Sequence, residues 1–446
     1  GPGKLEKALI RPLLFVRKAR VTYQENFSTI VPGYMPGSEI LGMDNFGSPG
    51  WDFILGLQPN MEQEDYFTKN DWLYNNRNWI SSSPLLNSAV SQNYRQTLDG
   101  RLTLEPIRDF KVDIEVKREL SDNHLEEFRF DSVGVMDYTH QNPRDFGSYT
   151  ITFAALKTLF NDDIAGLFDQ FEANRLIVAS RLTTAPLGSH QNPEDAELLF
   201  PDGFGRTSRA VLVPAFLAAY TGQDANTIDV DRDYVSNVLL KILPKPNWRL
   251  TYNGLSKIPL FKEIFQSVSI THGYRSTLTV NRFETKNQFD FDNPDKRDPI
   301  NFNFYSRFEV PDIVIQEQFS PLIGIDMRLQ NDMSFRFEIG KSRNLNMSFG
   351  IDEALNETRS DDVTLGFGYR LQDVNIGFLT GKRSNRGRQD RPQRPGGRGQ
   401  GQSGDLNINF DFSLSDDITI RHLLDQDLQE PTRGTKTLSI LPAAEY

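Results

Sequence analysis

Apolar and polar residues alternate with a period of two along most of this chain. Phe110-Lys111-Val112-Asp113-Ile114-Glu115-Val116-Lys117 sets four apolar side chains against four charges. Met333, Phe335, Phe337 and Ile339 interleave with Ser334, Arg336, Glu338 and Gly340. After a five-residue turn the alternation resumes at Leu345, Met347, Phe349 and Ile351. Successive strand side chains point to opposite faces, so each stretch predicts a strand with one oily and one wet wall. Strands of about ten residues with this pattern, joined in series by turns, predict an antiparallel transmembrane β-barrel. The fold class is therefore all-β, with a mixed helical insertion. On this reading Val112, Ile114, Val116, Ile323, Ile325, Met327, Phe335 and Phe337 face lipid. Lys111, Asp113, Glu115, Gly324, Asp326, Arg328, Arg336 and Glu338 face the lumen.

The alternation rule gives on the order of 14–18 strands. Early ones are Phe15–Tyr23, Trp51–Gln58, Leu98–Leu104, Ile107–Glu119 and Ser148–Leu156, followed by Asn247–Tyr252 and Val268–Phe283. Next come Asn301–Val310, Ile313–Phe319, Leu322–Leu329, Met333–Lys341, Arg343–Ile351, Val363–Arg370 and Val374–Leu379. Asp405–Leu414, Asp417–Leu424 and Lys436–Leu441 close the series. Polar links such as Gln330-Asn331-Asp332 suit up-and-down hairpins.

The pattern divides the chain into barrel strands over 1–159, with a long loop near 62–93, then an insertion over 160–243. Barrel strands return over 244–380 and 405–446, on either side of an Arg/Gly-rich tract at 381–404 that reads as disordered. Two helix-like stretches, Ile164–Leu182 and Ser208–Tyr220, lie in the insertion, which is expected outside the membrane, over or inside the barrel mouth.

Composition agrees without deciding the matter. Hydrophobic residues are 38% of 446 and mean hydropathy is −0.49, values a barrel reaches because lumen, turns and loops dilute its apolar wall. The longest apolar run, Ala210–Tyr220, contains Pro214 and is far short of the roughly 20 residues of a spanning helix. The 32 Phe suit a lipid-facing wall and interfacial girdles. A formal charge of −11 gives no general nucleic-acid footprint. With no cysteine, disulfides and thiolate metal sites are excluded. No apolar leader opens the chain, so an exported protein would have been processed or be a piece of a longer one.

No residue pattern points to catalysis or to a cofactor. His124, His140, His190, His272 and His422 lack metal-ligand spacing and read as structural. Asp229–Asp233 opens like a calcium loop, but Tyr234 and Leu240 occupy the slots that need glycine and a bidentate glutamate. The acidic stretch Asp290–Asp298 reads as a wet loop rather than a cation site. Gly396-Gly397-Arg398-Gly399 lacks the Lys-Ser/Thr of a phosphate loop. Asp113 and Glu115 stand beside Lys111 and Lys117, which reads as a charge ladder rather than a glycosidase pair.

Several segments resemble the C-terminal part of the SprA/Sov family, the outer-membrane translocon of the type 9 secretion system of Bacteroidota. The first is Arg11-Pro12-Leu13-Leu14-Phe15 with Val31-Pro32-Gly33-Tyr34 and Ser48-Pro49-Gly50-Trp51. Phe171, Asn174-Arg175 and Ser180-Arg181-Leu182 form the second. The third is Asp202-Gly203-Phe204-Gly205 with Val211 through Gly222. A fourth runs Pro244-Lys245-Pro246-Asn247-Trp248-Arg249-Leu250-Thr251-Tyr252-Asn253-Gly254-Leu255, with His272-Gly273-Tyr274 beyond it, and Glu317–Ile325 is a later echo.

The resemblance implies part of a very large single-chain barrel that exports folded cargo proteins. Its implied partners are outer-membrane lipid, the remaining part of the same barrel, a PorV-like small barrel, a periplasmic plug protein and the cargo, with no nucleic acid. The Arg/Gly tract is not part of the family pattern. Two rivals stand beside it: a self-contained porin or nutrient channel, and a soluble secreted β-sandwich adhesin, which would bury its apolar faces between sheets.

Overall fold

The computed structural model describes residues 15–44, 47–64, 70–350, 353–374, 404–424 and 428–445. Its frame is one antiparallel sheet of twelve strands. They are β1 (Val16–Ile30), β2 (Val90–Ile107), β3 (Phe110–Phe130), β4 (Tyr138–Thr152), β5 (Asn247–Tyr252) and β6 (Phe265–Thr285). The rest are β7 (Phe308–Glu309), β8 (Asp312–Leu329), β9 (Met333–Ser348), β10 (Ala354–Val374), β11 (Gly404–Leu423) and β12 (Gln429–Glu445). Neighbours follow chain order except around β4, β5 and β7. β1 and β12 are the two edges and do not pair with each other, so closure into a ring is not seen among the described residues.

Several strands run about twice the expected length. Arg343–Ile351 is not a separate strand after Met333–Lys341: β9 continues unbroken to Ser348. Its register against β10 has no shift from Tyr369↔Met333 to Ala354↔Ser348. Asp405–Leu414 and Asp417–Leu424 merge likewise into β11, and Ile313–Phe319 and Leu322–Leu329 into β8, which bulges between Phe319 and Ile323. The polar residues taken for turns keep the phase of the alternation, and phase fixes the face. Trp51–Gln58 is no strand: Trp51–Ile54 is one helical turn, after Gly50 at φ 101°. Asn301–Val310 is mostly loop, paired through β7 and a lone bridge from Phe304 to Arg297, because Phe302 turns the chain at φ 59°. At Gln330–Asp332 the reading of a tight hairpin agrees with the structure, where Asp332 takes the left-handed conformation at φ 63°. The Arg/Gly tract up to residue 403, Val374–Leu379 beyond its first residue, and Arg11–Leu14 lie outside the described residues.

β4 and β5 share one slot in the sheet. β4 pairs with β3 from Phe130↔Tyr138 down to Arg118↔Ile151, and β5 takes over from Glu115↔Asn247 to Phe110↔Tyr252. On the other side both pair with β6. Between Thr152 and Asn247 the chain leaves this slot and builds the insertion. The break is stitched where Lys245 N–H donates to Thr152 O (2.9 Å) and Lys117 N–H to Thr152 Oγ1 (3.1 Å).

Two helices organise the insertion, α1 (Ile164–Leu182) and α2 (Arg209–Thr221). Asp163 caps α1 by accepting from Gly166 N–H, and Gly222 ends α2 at φ 65°. Every residue of α2 after Arg209 is buried, so Val211–Tyr220 is core rather than an exposed patch. That core is shared with the sheet, through Leu120, Tyr149, Ile151, Leu278, Ile313, Ile315, Leu345, Met347 and Leu355.

An ionic joint fixes insertion to sheet. Arg343 and Glu317 lie side by side on β9 and β8 with no exposed side-chain area, and Arg343 Nε donates to Glu317 Oε2 at 3.1 Å. Arg343 Nη2 also donates to Thr158 Oγ1 (2.9 Å), at the foot of the insertion. Tyr274 Oη and Ala155 N–H both donate to Glu317 Oε1, at 2.6 and 3.1 Å. Removing one partner of a buried pair leaves a charge in low dielectric, so Arg343→Met is expected to cost about 3–5 kcal/mol. Denaturant unfolding in detergent checks this. Glu317→Gln added to Arg343→Met should recover part of the loss, because the neutral amide still accepts from Tyr274 and Ala155. No loss in the single variant would contradict the joint.

Candidate functional site

The register of the sheet assembles the separate alternating stretches into one surface. Phe110, Tyr252, Ile270, Ile325, Phe337, Leu365, Phe412 and Ile440 are paired successively across eight strands. Val268, Met327, Phe335, Phe367, Phe410 and Pro442 form a parallel row, as do Ile323, Ile339, Val363, Leu414 and Leu438. On the other flank Val112 and Ile114 lie opposite Leu104 and Leu102 of β2, and Val116 lies opposite Gly100. The resulting apolar band is about seven to nine residues tall, roughly 20–27 Å along a strand at about 3.4 Å per residue. Among the described residues nothing covers much of it: Ile323, Leu365, Phe410, Ile440 and Val21 are 45–74% exposed. Soluble monomers rarely expose so continuous an apolar surface, which marks a contact with a membrane, a protein or a ligand.

The band stops at a row of charge. Phe319, Lys341, Asp361, Asp416 and Lys436 are paired in succession, and Lys341–Asp361 and Asp416–Lys436 are ion pairs at 2.9 Å. Above that row the same face continues, but there Leu345, Met347 and Leu355 are fully buried against the insertion. An insertion inside the mouth and an apolar face turned outward therefore do not hold together: insertion and band share one side of the sheet.

The opposite face is mainly polar, with Val314 of β8 and the exposed Leu441 of β12 as apolar exceptions. Lys111 pairs with Asp113 (2.7 Å), Glu115 with Arg101 (3.2 Å), Arg336 with Asp326 (3.0 Å) and Arg328 with Asp332 (3.0 Å). Gly324 lies opposite Glu338. Gly366 on this face has room for little else, since a Cβ there would sit 3.0 Å from Asp411 Oδ1 and 3.2 Å from Arg336 Cβ.

The Pro244–Gly254 motif is the return path from insertion to sheet. Asn247 Oδ1 accepts from Ser276 N–H at 2.8 Å, and Trp248 packs on Tyr274 with ring centroids 4.7 Å apart. Tyr274 and His272 both meet Phe319, at 5.0 and 5.3 Å, and His272 Nδ1–H donates to Leu322 O at 2.6 Å. A Cβ on Gly273 would lie 3.2 Å from Ser320 O, at the β8 bulge. A Cβ on Gly254 would lie 2.6 Å from Tyr252 Oη. Pro244 and Pro246 flank Lys245, whose N–H closes the break in the shared slot. These residues act as a structural joint.

A buried charge network near the upper end of β3 is the feature the sequence hid. His124 Nδ1 is 2.6 Å from Asp145, and its Nε2 is 3.2 Å from Glu126. Glu126 also meets His140 Nδ1 (2.6 Å), whose Nε2 reaches Asp71 at 2.7 Å. Arg307 adds contacts to Asp145 (3.3 Å) and Glu62 (3.5 Å). Burial opposes charge on His124, but Asp145 and Glu126 outweigh it and lift the ring to about 9. His140 is lifted to about 9 against burial by Asp71 and Glu126. Burial, then the charges of Glu62 and Asp145, push Asp122 up to about 7. His190 lies 3.3 Å from Asn303, and His422 stacks on Phe168 at 4.4 Å. No group of metal-ligating residues is found among the described residues.

Comparison with protein-family models gives no match, and comparison with curated proteins gives none either.

The network makes a pH prediction with a definite sign. Folded-state values above the unfolded ones mean that His124 and His140 stabilise fully below about 6.5, and that this is lost as pH rises through about 9. Asp122 acts in the same direction, losing its contribution as pH rises through about 7. Hydrogen exchange of residues 71–80, tied to the sheet by His140–Asp71, should accelerate between pH 7 and 10 once corrected for intrinsic rate. Corrected rates independent of pH would contradict it.

Proposed function

We propose that this chain is part of the wall of an outer-membrane protein-conducting channel, the type 9 secretion translocon, exporting folded cargo without covalent chemistry. One observation carries the membrane part of this reading: a continuous, uncovered apolar band about as tall as the lipid-facing belt of roughly 25 Å, backed by a polar face. Among the described residues no helix is long and apolar enough to cross a membrane.

The open edges support a wall rather than a small closed pore. β1 and β12 are 15 and 17 residues long, and each has a side unpaired among the described residues. Backbone groups on such an edge need partners inside a bilayer, and the remaining part of the same barrel would supply them. Tight hairpins Arg108–Asp109 and Gln330–Asp332 lie at one end, where β5–β6 and β10–β11 are also linked, and the longest connections, 31–89 and 153–246, lie at the other beside the short β9–β10 and β11–β12 links. Outer-membrane barrels keep short turns in the periplasm, so the insertion stands on the extracellular side as an outer collar above the lipid. There it is placed to meet a neighbouring PorV-like barrel, while cargo and plug meet the polar face.

The resemblance of the Pro244–Gly254 and Asp202–Gly222 segments to the SprA/Sov family carries the choice of translocon over porin. A face substitution tests the wall itself. Ile325→Arg is expected to destabilise by about 2–4 kcal/mol in lipid if the side chain sits near the midplane, and less near the interface. Asp326→Arg, one residue along and on the other face, should be much milder. Equal tolerance of both in a bilayer unfolding titration would sink the proposal.

A further inference from the structure

The polar face is not uniformly balanced. Around Asp326, Arg328 and Arg336 each arginine has its own carboxylate. Where β1, β2, β3, β5 and β6 meet below the β8 bulge, a recess of about 490 Å³ opens, and its charge is lopsided. Lys18, Arg20, Arg101, Arg249 and Arg275 line it, against Asp113 and Glu115 alone. Both acids are already engaged, Asp113 by Lys111 and Glu115 by Arg101. Lys18 and Arg20 make no ion pair among the described residues, and Arg249, directly opposite Asp113, attracts that carboxylate without closing to ion-pair distance.

The register sharpens the point. Arg20 lies directly opposite Arg101 in the β1–β2 ladder, a like-charge pair that weakens a sheet. Arg249 occupies the rung of Asp113 and Gly273, and the glycine leaves the floor open beside Ser320. A wall needing only to be wet gains nothing from this arrangement, and in a chain of net charge −11 the excess is local. Guanidinium forks bind carboxylates through two parallel hydrogen bonds, and several within one recess suit a run of them.

We propose that this recess binds a carboxylate-rich, extended polypeptide segment on the channel side of the sheet. The inference rests on the wall reading, which makes polypeptide the material in contact with this face. Arg20 and Arg249 are the principal contacts, and Lys18 and Arg275 add charge at the rim. Affinity should fall with added salt, as for any contact between exposed charges.

The test uses the full-length protein in detergent and a fluorescent peptide of ten glutamates, read by anisotropy. The expected result is saturable binding that weakens about tenfold or more in Arg20→Gln/Arg249→Gln, with Arg336→Gln on the same face unchanged. A lysine decamer should not bind, and inorganic phosphate at the peptide's own concentration should not displace it. Unchanged affinity in the double variant, equal loss in Arg336→Gln, or displacement by equimolar phosphate would each overturn the proposal. The wall reading fails separately: a protein that stays dissolved without detergent yet shows the expected binding keeps the recess and loses the wall. A detergent-dependent protein that ignores the peptide does the reverse.

Discussion

Backbone pairing in constant phase is the constraint on which this molecule depends. Each strand must satisfy its N–H and C=O groups against neighbours, and in an antiparallel ladder that also decides which way every side chain points. Because β9 and β10 pair without a shift over their shared length, Phe335, Phe337, Arg343, Leu345 and Met347 are committed to one face. Two environments are then stacked on that face, bare and apolar below, covered by α1 and α2 above. The charge row from Lys341 to Lys436 marks the change between them.

The insertion follows from the same constraint. By leaving the β4/β5 slot at Thr152 and returning at Asn247, the chain delivers a helical body to the level where the band ends. Its core forms only with the sheet beneath it, since α2 is buried on all sides and the cluster runs on into Leu345 and Met347. The Arg343–Glu317 pair and the aromatic contacts of Trp248, Tyr274 and Phe319 hold that joint. The Pro244–Gly254 stretch thus lies where sheet and insertion are fastened.

Much of the sheet was legible in the sequence because period-two patterning is local. Asn247–Tyr252 was found to the residue, and one face of Val112, Ile325 and Phe337 is continuous through the register. Strand length was not legible. Lys341 and Arg343 look like a turn when a strand is expected to span only a bilayer, yet they belong to a strand that outruns the band. The histidine network was invisible for a different reason: His124, His140, Asp71 and Asp145 meet through β3–β4 pairing and a distant loop, a juxtaposition no spacing rule encodes. Gly50 and Phe302, at positive φ, turned two apparent strands into a helical turn and a loop.

On the proposed reading, one face of this sheet meets lipid in its lower half and protein in its upper half. The chain has no native cysteine, so single cysteines can carry a nitroxide without background. Labels at Ser334, Phe335, Arg336, Phe337, Leu345 and Met347 in reconstituted bilayers would report collisions with oxygen, which concentrates in lipid, and with a water-soluble nickel chelate. The account predicts oxygen accessibility at 335 and 337, chelate accessibility at 334 and 336, and neither at 345 and 347. Uniform accessibility to the chelate from 334 to 337, or oxygen accessibility confined to 334 and 336, would contradict it.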